Sequence, residues 1–293
     1  MRLNARTPTE TVRLIEAASA KINLALHVRR RRADGYHDLE TIFAFTEFGD
    51  TLTGTVADTR SRAQSDGLTL VVDGEFAMAV GAADDLVLRA ARALAAAAGV
   101  QASARLQLTK RIPVAAGLGG GSADAAAALR LLNRLWHLDW PLARLAEVGG
   151  RLGADVPACV FGTTQLGRGR GEQLLPYPGG TIAGTAVLLV NPGVPMPTGP
   201  VFAGWDEVDR GPLDPALPLA ALRNDLTGPA TALDPVLGTL LCALGDTGAK
   251  LVRMSGSGAT CLGLFGEHTA CAAAQGRIAS AFPGWWTVAT TLR

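Results

Sequence analysis

The segment Pro113-Val-Ala-Ala-Gly-Leu-Gly-Gly-Gly-Ser-Ala-Asp-Ala125 joins an alternating stretch, Arg105 to Lys110, to an alanine- and leucine-rich one that continues to about Trp136. Alternation reads as a strand and the alanine-rich run as a helix buried on most sides, so the glycines mark a strand-to-helix junction. Gly117, Gly119, Gly120 and Gly121 free the backbone to take positive φ and to approach a ligand closely, while Ser122 and Asp124 suit the opening of a helix. Successive N–H groups at such a start, with the macrodipole behind them, make an anion site whose natural guest is a phosphate. A flexible turn before a capped helix is the plainer reading of a glycine cluster on its own. The spacing excludes two motifs. No Gly-x-x-x-x-Gly-Lys-Ser/Thr is present, and Ser122 stands where the third glycine of Gly-x-Gly-x-x-Gly belongs.

Working outward, 293 residues allow one large domain or two ordinary ones at about 150 residues each. A net charge of +1 provides no global field for nucleic acid or an anionic membrane, so neither is expected as a partner. Cys159, Cys242, Cys261 and Cys271 are scattered, without a Cys-x-x-Cys pair, which argues against zinc and against a disulfide framework and makes the cytoplasm the expected compartment. No apolar run approaches the roughly 20 residues that span a bilayer. Strands are predicted from Ser19 to Val28, Leu39 to Phe48, Thr51 to Val56, Leu68 to Val72, Ala186 to Val190, Lys250 to Met254 and up to Phe265, with a last one from Trp285 to Leu292. Helices are predicted over Asp84 to Ala98, from Pro141 to Leu152, near Pro218 to Arg223 and Pro235 to Leu244, and after Phe265 to about Ser280; Gly167 to Gly171 reads as a turn. The mixture lacks a strict βαβ rhythm, so the fold class is α+β.

Three other places could carry chemistry. Asp155 lies in Gly153-Ala-Asp-Val-Pro157, a position open to a general base or to an ordinary turn aspartate. Lys21 and Asn23 point the same way from the first strand, opposite Ala20, Ile22 and Leu24, and the lysine is either solvated or set to orient a base beside a phosphate. Tyr36-His37 could stack on a flat ligand or enter the core, and Ser255-Gly-Ser-Gly258 is a second small-residue loop where backbone could approach a ligand. The arginine run Arg29 to Arg32 reads as a solvated turn, without the interleaved aromatics of a nucleic-acid site.

Together these pieces resemble the GHMP small-molecule kinase superfamily. The resemblance rests on Ala20-Lys-Ile-Asn-Leu24, Asp34-Gly-Tyr-His37, the loop Pro113 to Ala125, Leu152-Gly-Ala-Asp-Val-Pro157, Pro192-Gly-Val with Pro197-Thr-Gly-Pro-Val-Phe202, Asn224-Asp-Leu226 and Met254-Ser-Gly-Ser-Gly-Ala259. It implies an N-terminal ATP-binding domain over 1–165, of the ribosomal-protein-S5 domain-2-like type, a ferredoxin-like C-terminal domain over 166–293, and an active site in the cleft between them. It further implies an ATP- and Mg²⁺-dependent kinase of the non-mevalonate isoprenoid pathway, acting on the C2 hydroxyl of a cytidine-diphosphate methylerythritol, as a monomer or weak homodimer. Asp155 would take the hydroxyl proton and Lys21 would hold it in place. Pro113, Gly117, Leu118, Gly119, Gly120, Gly121 and Ser122 would bind the ATP phosphates, Lys110 would lie by the adenine, and Asp85 would stand near the adenosine, where the family commonly has asparagine. Asn23 would contact the substrate beside the base, Tyr36 and Phe202 would sandwich the cytosine, and His37 would read its edge with Thr198 nearby. No side chain is assigned as a metal ligand. Homoserine or mevalonate as acceptor, a silent nucleotide-binding module and an RNA-binding module are the competing readings, disfavoured in turn by Tyr36, His37 and Phe202, by the Lys21 and Asp155 pair, and by the net charge.

Overall fold

The computed structural model describes residues 12–56, 67–79 and 86–293; Asp84 and Asp85 lie outside them. Two β-rich segments open the chain, β1 (Arg13–Arg31) and β2 (His37–Thr55), paired antiparallel around the turn that holds the arginine run. Both outgrow their predicted limits, and the Leu39 and Thr51 segments are one strand. The polar face of β1 is not solvated: Lys21, Asn23 and His27 are each at most 4% exposed. The register shifts between Ser19 and Lys21 and between Asn23 and Ala25, irregularities that re-aim side chains beside a site.

The first sheet is completed by β3 (Leu68–Asp73), β4 (Ala104–Thr109), β5 (Gln165–Gly169) and β6 (Gln173–Pro176), with β1 pairing β2 off the order β3-β4-β2-β5-β6. Residues read as a turn, Gly167 to Gly169, therefore belong to a strand. Because β5 and β6 hydrogen-bond into this sheet, the chain passes from one sheet to the other in residues 177–185. Four helices cover one face: α1 (Leu86–Ala98), α2 (Gly120–Leu135), α3 (Leu142–Gly150) and α4 (Val156–Phe161), whose alanines and leucines meet Phe43, Phe45, Leu52 and Leu106.

The second sheet has the order β10-β7-β9-β8, from β7 (Ala186–Asn191), β8 (Leu251–Met254), β9 (Cys261–Phe265) and β10 (Trp286–Thr291). Alternation along β7 sends Ala186, Leu188 and Val190 toward α5 (Thr198–Ala203), α6 (Thr227–Leu233), α7 (Val236–Gly245) and α8 (His268–Ala281), and sends Val187 and Leu189 the other way. That second side meets Ile22, Leu24 and Ile42 of the first sheet, so the two sheets share an apolar layer. The predicted helix near Pro218 is only the short 3-10 turn Leu219–Ala221. Strands and helices in two sheet-based halves make the fold α+β, as expected.

Candidate active site

The glycine loop lands between the halves. Helix α2 begins at Gly120 without a side-chain cap, two residues ahead of the predicted start, and its first intrahelical donor is the Ala123 N–H to the Gly119 carbonyl at 2.8 Å. The N–H groups of Gly120, Gly121 and Ser122 therefore have no partner within the helix and stand at its positive end. Two glycines are sterically required. Gly119 has φ 62°, and a Cβ there would sit 2.9 Å from Lys21 Cε. At Gly117, a Cβ would meet the Ser255 and Gly258 carbonyl oxygens at 2.6 Å, so the second small-residue loop packs directly on the first. Ser255 Oγ donates to the Gly117 carbonyl at 2.9 Å and accepts the Asn23 N–H at 3.1 Å, which ties β1 to both loops.

Lys21 and Asp155 meet here. Their Nζ and Oδ2 are 3.0 Å apart, with the lysine side chain 6% exposed and the carboxylate 33% exposed. Asp155 precedes α4, and its side chain makes no capping bond, which leaves the carboxylate for Lys21 and for the cleft. Lys21 also donates to Asn23 Oδ1 at 3.0 Å; Asn23 Nδ2 donates to Thr41 Oγ1 at 2.7 Å, and Thr41 donates to the Ala25 carbonyl at 2.6 Å. Each side chain's orientation is fixed by the next. Cys159, one turn into α4, is no nucleophile: burial, then the Asp155 carboxylate, push its thiol up to about 12.

Around this pair lies a cavity of about 460 Å³, lined by Ala115, Ala116, Gly117, Gly119 to Ser122, Lys21, Asn23, Asp155 and the Gly256 to Gly258 loop. A second cavity of about 360 Å³ is lined by Tyr36, His37, Phe202, Trp205, Thr198 and Arg170. Tyr36 is 57% exposed, whereas His37 is buried with its ring 5.0 Å from Phe202 and edge-on to Trp205 at 5.7 Å. Burial, aided by the Arg31 charge and opposed by Glu207, holds the His37 imidazole below its ordinary value, so at neutral pH it offers one donor and one acceptor. Thr198 Oγ1 is 3.1 Å from Ser257 Oγ.

The two cavities thus gather Lys21, Asp155, Asn23 and most of the loop on one side, and Tyr36, His37, Phe202 and Thr198 on the other. Three expected positions fall elsewhere. Lys110 is not on the open side: it is 3% exposed, with its ammonium bonded to Asp50 and to Asp124 at 2.6 Å, so it is committed to the interior rather than free for a base. Leu118 is buried and acts through its carbonyl, which accepts the Lys21 N–H at 2.9 Å; Pro113 precedes the lining residues. Asp85 lies outside the described residues. Sequence reasoning missed Arg170 and Trp205. An arginine flanked by glycines in a supposed turn was a signal for the first; the second carried none.

Residues 85–163 match the GHMP kinases N terminal domain and residues 208–284 the GHMP kinases C terminal model. A protein of Rhizorhabdus wittichii named 4-diphosphocytidyl-2-C-methyl-D-erythritol kinase is 51% identical, over 98% of each chain. A crystal structure of 4-(cytidine 5'-diphospho)-2C-methyl-D-erythritol kinase superposes with TM-score 0.75 at 33% identity, covering 95% of this chain and 99% of that one. Homoserine kinase from Cytophaga hutchinsonii gives 0.67 at 17% identity, over 99% of this chain and 98% of that one, a likeness of fold.

Proposed function

Because the chain belongs to the GHMP kinases, we propose that it transfers the γ-phosphoryl group of ATP to the C2 hydroxyl of 4-diphosphocytidyl-2-C-methyl-D-erythritol, in the non-mevalonate route to isoprenoid precursors. The relative of the same name at 51% identity supports this acceptor. The observation that carries it is the continuity of the two cavities, since Leu39, Arg170, Thr198 and Phe202 line both. An aromatic cavity fit for a base opens into one that holds a lysine-paired carboxylate and an anion-binding helix start.

In this reading Asp155 accepts the hydroxyl proton while Lys21 holds the carboxylate in place and offsets charge on the transferring group. The free amides of Gly120, Gly121 and Ser122 receive the ATP phosphates. Asn23 contacts the substrate beside the base, and Tyr36 and Phe202 flank the cytosine, whose edge His37 reads; stacking contributes about 1–3 kcal/mol. A general base supplies about 10²–10⁴ in rate, and electrostatic stabilisation of the phosphoryl group most of the rest. The Ser122 hydroxyl, which lines the phosphate cavity, is a hard oxygen donor of the kind Mg²⁺ accepts alongside nucleotide phosphates. Mg²⁺ bound there would neutralise phosphate charge.

We expect a cytoplasmic monomer or weak homodimer; among the described residues no helix is long and apolar enough to cross a membrane. The test is ATP-dependent ADP release against the cytidine diphosphate methylerythritol, other cytidine diphosphate alcohols, methylerythritol, homoserine and mevalonate. The expected kcat/KM favours the first by at least about 100-fold over any acceptor lacking the base, the value of a few kcal/mol of lost stacking and hydrogen bonding. Comparable turnover of a bare polyol would overturn the reading.

A further inference from the structure

Arg170 occupies the turn between β5 and β6, and it lines both cavities. It is the one cationic side chain to do so among the described residues: Lys21 lines only the phosphate side, and Arg31 only the aromatic side. The turn is pressed against the reaction centre, for a Cβ at Gly171 would lie 3.3 Å from the Phe43 ring and 3.7 Å from Asp155 Oδ1. Its guanidinium carbon sits 5.1 Å from the centroid of the Tyr36 ring. Its nearest carboxylate, Glu172, is 3.9 Å away, and that carboxylate's other oxygen is taken by the Arg170 backbone N–H at 2.7 Å. A cation with 38% of its side chain exposed is thus held at the junction of two cavities with its fork of donors largely unspent.

The chemistry of the junction follows from what lies at either end. A hydroxyl that reacts at Asp155 and a base held by Tyr36, His37 and Phe202 must be connected through the space between them. In a nucleoside diphosphate ester that connection is the diphosphate itself. Two phosphoryl groups carry the charge that a planar guanidinium recognises with paired N–H donors. We infer that Arg170 binds the diphosphate of the acceptor, a specificity-determining contact by which the site tells a nucleoside diphosphate ester from a nucleoside or a free polyol. The inference rests on the functional reading above. Its rival is a purely packing role, in which Arg170 only props the Tyr36 ring through the cation–π contact.

The two are separated by binding of cytidine and of CDP, each titrated calorimetrically into wild type, Arg170→Ala and Arg170→Lys, with KM for both substrates measured in parallel. Diphosphate recognition predicts that Arg170→Ala weakens CDP about 10–100-fold, the loss of one charge-assisted contact, while cytidine changes less than about threefold. The acceptor's KM rises with the CDP constant and that of ATP stays put. Arg170→Lys recovers part of the CDP affinity, since it restores the charge without the fork. Equal losses for CDP and cytidine would show that Arg170 acts through Tyr36 and overturn the assignment alone. A wild-type protein that binds neither ligand would overturn the cytidine reading of the cleft and this assignment with it.

Discussion

Two lysines flank the glycine loop, and their fates differ. Lys21 packs beneath Gly119 and Lys110 beneath Gly120, where a Cβ would lie 3.5 Å from its ammonium. Each is at most 4% exposed and paired with an aspartate. Yet Lys21 faces one carboxylate that still opens on a cavity, and its remaining bond goes to a neutral amide, Asn23. Lys110 is enclosed by two carboxylates, and Asp50 is further held by the N–H groups of Arg111 and Ile112, the latter at 2.8 Å. Burial, opposed by Lys110 and reinforced by Asp50, pushes the Asp124 carboxyl up to about 8, and its Oδ1 has no partner. The sealed cluster is close to neutral and anchors the loop from below. A lysine–carboxylate pair becomes chemistry when one member keeps an unspent oxygen toward solvent, and architecture when none does.

The largest expected effect tests the open pair. Asp155→Asn removes the proposed proton acceptor and should lower kcat by about 10²–10⁴ while leaving ATP affinity nearly unchanged. Steady-state ADP release with a nucleotide titration checks this, and full turnover would deny Asp155 the role of base. Next comes the sealed cluster. Lys110→Met leaves two aspartates buried together without a cation, which should cost about 3–5 kcal/mol, a drop in Tm on the order of 10 °C. A melt unchanged within 2–3 °C, on the order of a ~1 kcal/mol effect, together with a selective loss of ATP binding would reverse the contrast and return Lys110 to the nucleotide.

The smallest effect sharpens the contrast through pH. A carboxyl raised above its ordinary 3.8 binds a proton in the folded state that the unfolded state has released. Its stabilising contribution is therefore complete below about 4 and is lost as pH rises through about 8. Asp124→Asn, which keeps the neutral form permanently, should flatten the fall in stability between pH 5 and pH 8, whose upper limit is about 1.4 kcal/mol per pH unit. Denaturant unfolding at both values reads it, and parallel pH slopes in variant and wild type would mean that Asp124 is ionised throughout.

Much of the site was legible because its residues sit in motifs with local physical demands. The glycine loop is needed where a Cβ at Gly117 would meet another loop's carbonyl oxygens at 2.6 Å, and Asp155 stands at a helix start set by Pro157. Phe202 was legible by family resemblance alone, whereas Tyr36 could be read from the residues as either a stacking or a core aromatic. Arg170 and Trp205 were not legible, because the first lies in a strand-to-strand turn that looked like a loop and the second follows a six-residue helix with no periodicity to announce it.

By itself the sequence determined the α+β class and the strand-to-helix junction at the glycine loop, since these follow from period and glycine placement, while the pairing of a lysine with an aspartate came from family resemblance. Tertiary structure decided which lysine meets which carboxylate, and how deeply. Lys21 and Lys110 each occupy alternating, strand-like sequence next to apolar residues, and nothing local separates them. The difference arises from partners far along the chain, Asp155 at 134 residues' distance for one and Asp50 at 60 for the other, brought together when two sheets and α2 close over the loop. Dielectric and solvent access are properties of that closure, and they leave Asp155, unlike Asp124, open to a cavity.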